Sequence, residues 1–212
     1  MSHALNPIVF VVDADLSTRI YLERLIRTAG WQAETFTSQH CLLAIPRALV
    51  PSCLVIDAAH LGCALLQQIA SERHPIPIIF LSSDCDIETA VRAMKGGAFD
   101  FFTKPIRDDS LLKAMREALR RSEIALGREN ELLELRDGYK SLTPREREVM
   151  TLVVSGLPNK QVGGELGISE ITVKMHRGNV MRKMNAGSFA QLVTMASRLR
   201  VTRSLASIVA PA

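Results

Sequence analysis

The sequence predicts an α/β domain built on a doubly wound, five-stranded parallel sheet, then an all-α domain, with a long helical linker between them. Three observations carry this. Short unbroken apolar runs alternate with amphipathic stretches as far as Phe102. Charge is unevenly shared: residues 1–137 hold 15 Lys/Arg against 18 Asp/Glu, whereas residues 138–212 hold 11 against 4. That places about −3 and +7 within a net charge of +4, as expected if only the second part meets a polyanion. Finally, Leu142 to Met184 carries start and stop signals for three short helices.

Ile8–Val12 is a β-branched and aromatic run and reads as the first strand. An amphipathic helix, Ser17–Ala29, ends at Gly30. Gln32–Phe36 is a short strand, and Ser38–Ile45 a helix stopped by Pro46. Cys53–Ile56 is a third, buried strand, followed by a helix over Cys63–Ser71. Ile76–Leu81 is the fourth strand, Ile87–Lys95 a helix closed by Gly96-Gly97, and Asp100–Phe102 the fifth strand. Fully apolar strands separated by helices need cover on both faces, which means a parallel sheet. In such sheets the site forms at the carboxyl ends of the strands.

Asp108 to Arg136 reads as one long helix or two joined ones, with Gly127 and Asp137-Gly138 as weak points. Leu111, Met115, Ala118, Ser122 and Ala125 keep a heptad-like stripe. A dimerising signalling helix and a solvated linker with a few packed leucines both fit it. The domain boundaries expected are 6–122, a linker over 123–138, and 139–204 for the basic helical domain.

Composition narrows the function classes. The apolar share is 47%, enough for a core, but no run approaches the ~20 residues that span a bilayer. The N-terminus lacks a signal-peptide layout, so a cytoplasmic protein without membrane contact is expected. Cys41, Cys53, Cys63 and Cys85 form no CxxC pair, which argues against zinc and for small buried hydrophobes. A redox role for Cys63 and Cys85 is the minor alternative. No nucleophile–base pair or cofactor loop is present, so the chain is not expected to be an enzyme.

In the basic part, Thr143-Pro144-Arg145-Glu146 combines an N-cap, a first-turn proline and a capping-box glutamate. The helix that follows stops near Gly156 and Pro158. Asn159 to Leu166 is a second helix ending at Gly167, and Ser169 caps a third that runs to Met184. Stepping 100° per residue places Val173, Val180, Met181 and Met184 on one face, the core side. The opposite face collects Ile171, Met175, Gly178 and Arg182, flanked by Lys174 and Asn179. Cationic, amide and apolar groups together suit base edges in a major groove. Thr172, His176 and Lys183 lie on one flank, within reach of phosphates, as do Asn159 and Lys160 at the start of the preceding helix. With Arg177, the third helix holds five basic residues accompanied only by Glu170.

The stretches LTPRERE, GLPNKQ, ELGIS and TVKMHRGNVMRKM resemble, in that order, the helix-turn-helix of LuxR/FixJ-type (NarL/FixJ family) regulators. The resemblance implies sequence-specific binding to promoter DNA, with Lys174, Met175 and Gly178 at base-reading positions. Gly178 has no side chain to contribute there. Gly163-Gly164 weakens the second helix by about 1 kcal/mol per glycine, and Gly163 is expected where two helices touch closely.

The first domain resembles a response-regulator receiver, a CheY-like fold, over about residues 6–122. Asp57 ends the third strand, at the family's phosphoacceptor position. Ser82 matches the switch hydroxyl, Phe101 the switch aromatic and Lys104 the phosphate-sensing lysine. The segment Ala90 to Ala98 is also family-like. Phosphoryl transfer to a carboxylate needs Mg²⁺ to offset charge, and Asp13 and Asp57 are the implied metal ligands. This chain departs from the pattern in two places. Val12-Asp13-Ala14-Asp15 puts alanine at the second of two acids, with Asp15 one position late. Ala58-Ala59-His60-Leu61-Gly62 replaces the usual loop after the phosphoacceptor and is shorter. Both departures predict impaired or non-standard Mg²⁺-dependent phosphorylation. Asp57 therefore reads either as a working phosphoacceptor or as a polar residue held by Lys104.

The reading is a two-component transcriptional regulator, its receiver controlling dimerisation or exposure of the helix-turn-helix. A homodimer, a sensor histidine kinase and RNA polymerase are the partners this implies. A conventionally phosphorylated regulator and a protein-interaction adaptor with a vestigial helix-turn-helix are the alternatives.

Overall fold

The computed structural model describes residues 6–44, 49–58, 76–83 and 87–201. Five parallel strands, β1 (Ile8–Val12), β2 (Gln32–Phe36), β3 (Ser52–Asp57), β4 (Ile78–Ser82) and β5 (Asp100–Thr103), form one sheet in the order β2-β1-β3-β4-β5. The described helices of this part are α1 (Leu16–Thr28), α2 (Gln39–Ala44), α3 (Ile87–Lys95) and the first part of α4 (Asp108–Lys140). The helix expected over Cys63–Ser71 lies outside the described residues, as do the Ala59–Gly62 loop, Cys63 and Cys85.

Strand pleating sends alternate residues to opposite faces, and the two cores follow that alternation. Val9, Val11, Cys53, Val55, Ile79 and Leu81 pack with Leu22 and Ile26 of α1 and with Leu111, Met115 and Ala118 of α4. Phe10, Val12, Leu54, Ile56 and Phe80 pack on the other face with Leu42 of α2 and Ala93 of α3. Each fully buried Val, Leu, Ile, Phe or Met side chain among them contributes about 1.5–3 kcal/mol. β1 and β3 are thus apolar on both sides, which is why their sequences read as unbroken runs.

α1 starts one residue earlier than its sequence suggests. Asp15 caps it, accepting from the N–H groups of Ser17 and Thr18. α4 is a single 33-residue helix, and Gly127 and Gly138 do not interrupt it. The chain divides into two compact units at Arg128–Glu129, inside the stretch 123–138 expected to be a linker. The heptad-like stripe has an intrachain use: Leu111, Met115 and Ala118 are core residues, and the Ser122 hydroxyl accepts from the buried N–H of Ser52.

The second unit contains the end of α4, then α5 (Pro144–Val154), α6 (Asn159–Leu166), α7 (Glu170–Lys183) and α8 (Phe189–Arg198). Thr143 and Glu146 form the capping box of α5, and Gly167 (φ 66°) ends α6 in the left-handed conformation. α8 was not anticipated. Its signals were present: Ser188 caps it, and Leu192 and Ala196 repeat at the four-residue spacing of a buried face. The linker residue Leu135 is also buried in this unit, with Met150, Val180, Met184 and Leu192.

Candidate nucleic-acid interface and carboxylate pocket

α6 and α7 are held by two sets of apolar contacts. Val173, in the first turns of α7, packs with Val149, Val153 and Val162. Val180 and Met184, toward its end, enter the cluster that contains Leu192. Met181 is only partly buried, the least enclosed of the four residues assigned to the core side. The α6–α7 turn is tight: a Cβ on Gly163 would stand 2.7 Å from the carbonyl oxygen of Ile168, so that position requires glycine. Arg145 of α5 donates to the Leu166 carbonyl at the end of α6.

The face opposite the core is open. Ile171 is 80% exposed and Met175 55%, while Lys174, Gly178 and Arg182 are exposed and Asn179 half-buried. Covering apolar side chains this exposed is favourable, and such a patch marks an interaction surface. Lys160, at the start of α6, is exposed as well. Among the described residues, the charged groups of Lys160, Lys174 and Arg182 take no protein partner.

Lys183 and Asn159, both expected to reach phosphates, are instead tied into the fold, and so is Arg177. Lys183 donates to Glu146 at 2.7 Å and to the Ser141 carbonyl at 3.2 Å. Arg177 donates to Asn159 Oδ1 at 2.6 Å, with its guanidinium 5.1 Å from the centre of the Phe189 ring. The flank of α7 meets α5, the start of α6 and α8, and long cationic side chains there find acceptors before they find solvent. Glu146 and Phe189 meet their cations only through tertiary packing, so local sequence does not mark them as partners. Thr172 shares a 2.8 Å hydrogen bond with the Ser169 hydroxyl. His176 is half-buried, with Nδ1 enclosed and unbonded.

The second site lies at the carboxyl edge of the sheet, where the strand order reverses beside β1. Register places it there: Val12 faces Ile56, Asp57 faces Leu81 and Ser82 faces Thr103. Asp13 and Ser82 are buried, Phe101 partly so. The Lys104 ammonium bridges the two carboxylates, 2.6 Å from Asp57 and 3.0 Å from Asp13. Burial works against its charge, but the hydrogen bonds it donates to Asp57 and Asp13 prevail and hold its pKa above the ordinary lysine value.

Asp15 does not stand in for the acid that Ala14 lacks. Its carboxylate caps α1, accepting from the Thr18 N–H at 2.9 Å and hydroxyl at 2.8 Å. Its own N–H donates to Asp13. The Arg19 guanidinium lies on the carbonyls of Asp13 and Ala14, at 2.7 and 2.9 Å. Among the described residues no three carboxylate, histidine or cysteine side chains converge on one point. Asp13 and Asp57, bridged by Lys104, are the carboxylates that the described residues bring together at this edge.

A five-stranded receiver fold with this pocket, followed by a capped tri-helical motif with an exposed basic face, defines a receiver-linked DNA-binding regulator. The chain belongs to the response regulators with a LuxR-family output domain. Residues 9–116 match the response regulator receiver domain, and residues 140–196 the bacterial regulatory proteins of the luxR family. The chain is 43% identical to nodulation protein W of Bradyrhizobium diazoefficiens over 198 residues, covering 92% of this chain and 87% of that one. It is 35% identical to transcriptional regulatory protein FixJ of the same organism, covering 90% and 94%. Among solved structures, response regulator StyR superposes with a TM-score of 0.82 at 40% identity, covering 92% of this chain and all of that one. The protein is thus a two-component response regulator that controls transcription through a LuxR-type DNA-binding domain.

Proposed function

We propose that the chain reads its operator with the face formed by Ile171, Lys174, Met175, Gly178, Asn179 and Arg182, with Lys160 on a neighbouring phosphate. The observation that carries this is the exposure of two large apolar residues between unpartnered cations on one helix face. Lys and Arg supply donors for guanine edges, Asn suits adenine, and apolar atoms meet the thymine methyl. An operator selected from random duplex DNA by the wild-type protein is the probe. Lys174→Ala is expected to lose about 1–3 kcal/mol of discrimination between bases, and Arg182→Ala to weaken binding as well. Unchanged operator affinity in both variants would remove the assigned face.

Control by the receiver is proposed to run through Asp57 with impaired Mg²⁺-dependent phosphorylation, supported by Ala14 and by the use of Asp15 as a helix cap. The exposed α3 stripe Ile87, Val91 and Met94 supports homodimerisation. Leu16, Ile20 and Tyr21 on α1 present an apolar patch suited to a sensor-kinase helix. Contact with RNA polymerase follows from promoter binding, and no described helix is long and apolar enough to cross a membrane, in keeping with a cytoplasmic site of action.

A further inference from the structure

We infer that Lys183 and Glu146 form a positioning pair that sets how recognition helix α7 is presented to DNA, and that Lys183 contacts no phosphate. This rests on the reading of α7 as the DNA-reading helix. Glu146 is 4% exposed and belongs to the first turn of α5, where its carboxylate also accepts from the Thr143 N–H at 2.8 Å. Lys183 occupies the last turn of α7, its side chain 25% exposed. One charge-assisted bond therefore joins the start of α5 to the end of α7, across 37 residues of sequence.

Apolar contacts at Val173, Val180 and Met184 hold α7 against the core, but they are non-directional and tolerate small rotations and slides. A short hydrogen bond between opposite charges has a preferred direction. Here the Ser141 carbonyl fixes a second ammonium proton. Withdrawing Lys183 toward a phosphate would leave a buried carboxylate unpaired, which opposes the move. The Lys183 charge is therefore engaged within the protein, and displacing α7 by even a fraction of a side chain would carry Lys174 and Arg182 out of register with the bases.

The test uses the full chain and the operator selected from random duplexes, with binding measured over a salt series for operator and scrambled DNA. Expected for both Lys183→Met and Glu146→Gln is a fall of about 10–100-fold in operator affinity. The scrambled duplex is bound as before and the salt slope is unchanged. Glu146→Gln keeps an acceptor for the Thr143 N–H, so it serves if Lys183→Met does not fold. The double variant regains thermal midpoint, having no orphaned charge, but not discrimination; a purely structural pair would regain both. A phosphate contact would instead lower the salt slope by about 0.9 in Lys183→Met, weaken both duplexes alike and leave Glu146→Gln normal, which would overturn the inference. If the wild type selects no sequence at all, the reading of α7 falls and this inference with it.

Discussion

The carboxyl edge of the sheet and the outer face of α7 both gather charge, yet they treat it in opposite ways. At the sheet edge, Lys104 lies between Asp13 and Asp57 within hydrogen-bond distance of each, so one positive charge offsets part of two negative ones. On α7, Lys174 and Arg182 point to solvent without an acid among the described residues. Internally paired charge belongs to a site that changes state when one partner is altered, as phosphorylation of Asp57 would alter it. Unpaired charge in an exposed row belongs to a surface completed by an external polyanion. The flank of α7 is intermediate, since Arg177 and Lys183 are paired and support the face without extending it.

The largest effect that would sharpen this contrast is expected in the pocket. Ala14→Asp should raise Mg²⁺-dependent labelling of Asp57 by acetyl phosphate about 10–100-fold, the scale on which groups around a metal govern its affinity. Wild-type labelling that already equals the variant's would show that Ala14 imposes no handicap. In the other unit, Gly163→Ala should cost about 1–3 kcal/mol, because its Cβ would overlap the Ile168 carbonyl. Gly164→Ala, one residue on with open space around it, should stabilise by about 0.5–1 kcal/mol. Thermal midpoints of opposite sign are the check; a shared sign would break the assignment of Gly163 to the tight turn.

The smallest expected effect is in pH dependence, where Glu146 and Lys104 part company. The Lys183 hydrogen bond holds Glu146 below the ordinary carboxylate value of 4.5, against the opposing effect of burial. A depressed folded pKa means its stabilisation is present above 4.5 and lost as pH falls through the folded value. Lys104 is raised above 10.5, so its stabilisation is present below that pH and lost as pH rises through the folded value. Glu146→Gln should therefore differ from wild type at neutral pH and converge with it in acid, whereas Lys104→Gln should converge in alkali. Thermal midpoints across pH decide it, and convergence at the same end for both would refute the assignment.

Local chemistry is what the sequence determined. Apolar runs and glycine stops located the strands, and Thr143, Ser169 and Gly167 marked helix ends, because caps are satisfied within a few residues. The 3.6-residue period separated the buried face of α7 from the exposed one for the same reason. Tertiary structure decided which charges are available. Asp15 became a helix cap, Lys183 the partner of Glu146 and Arg177 a bridge between Asn159 and Phe189. The stripe Leu111, Met115 and Ala118 became core, although its spacing equally suited a dimer seam. Each of these depends on which distant group lies within a few ångströms, and local sequence periodicity carries no record of that distance.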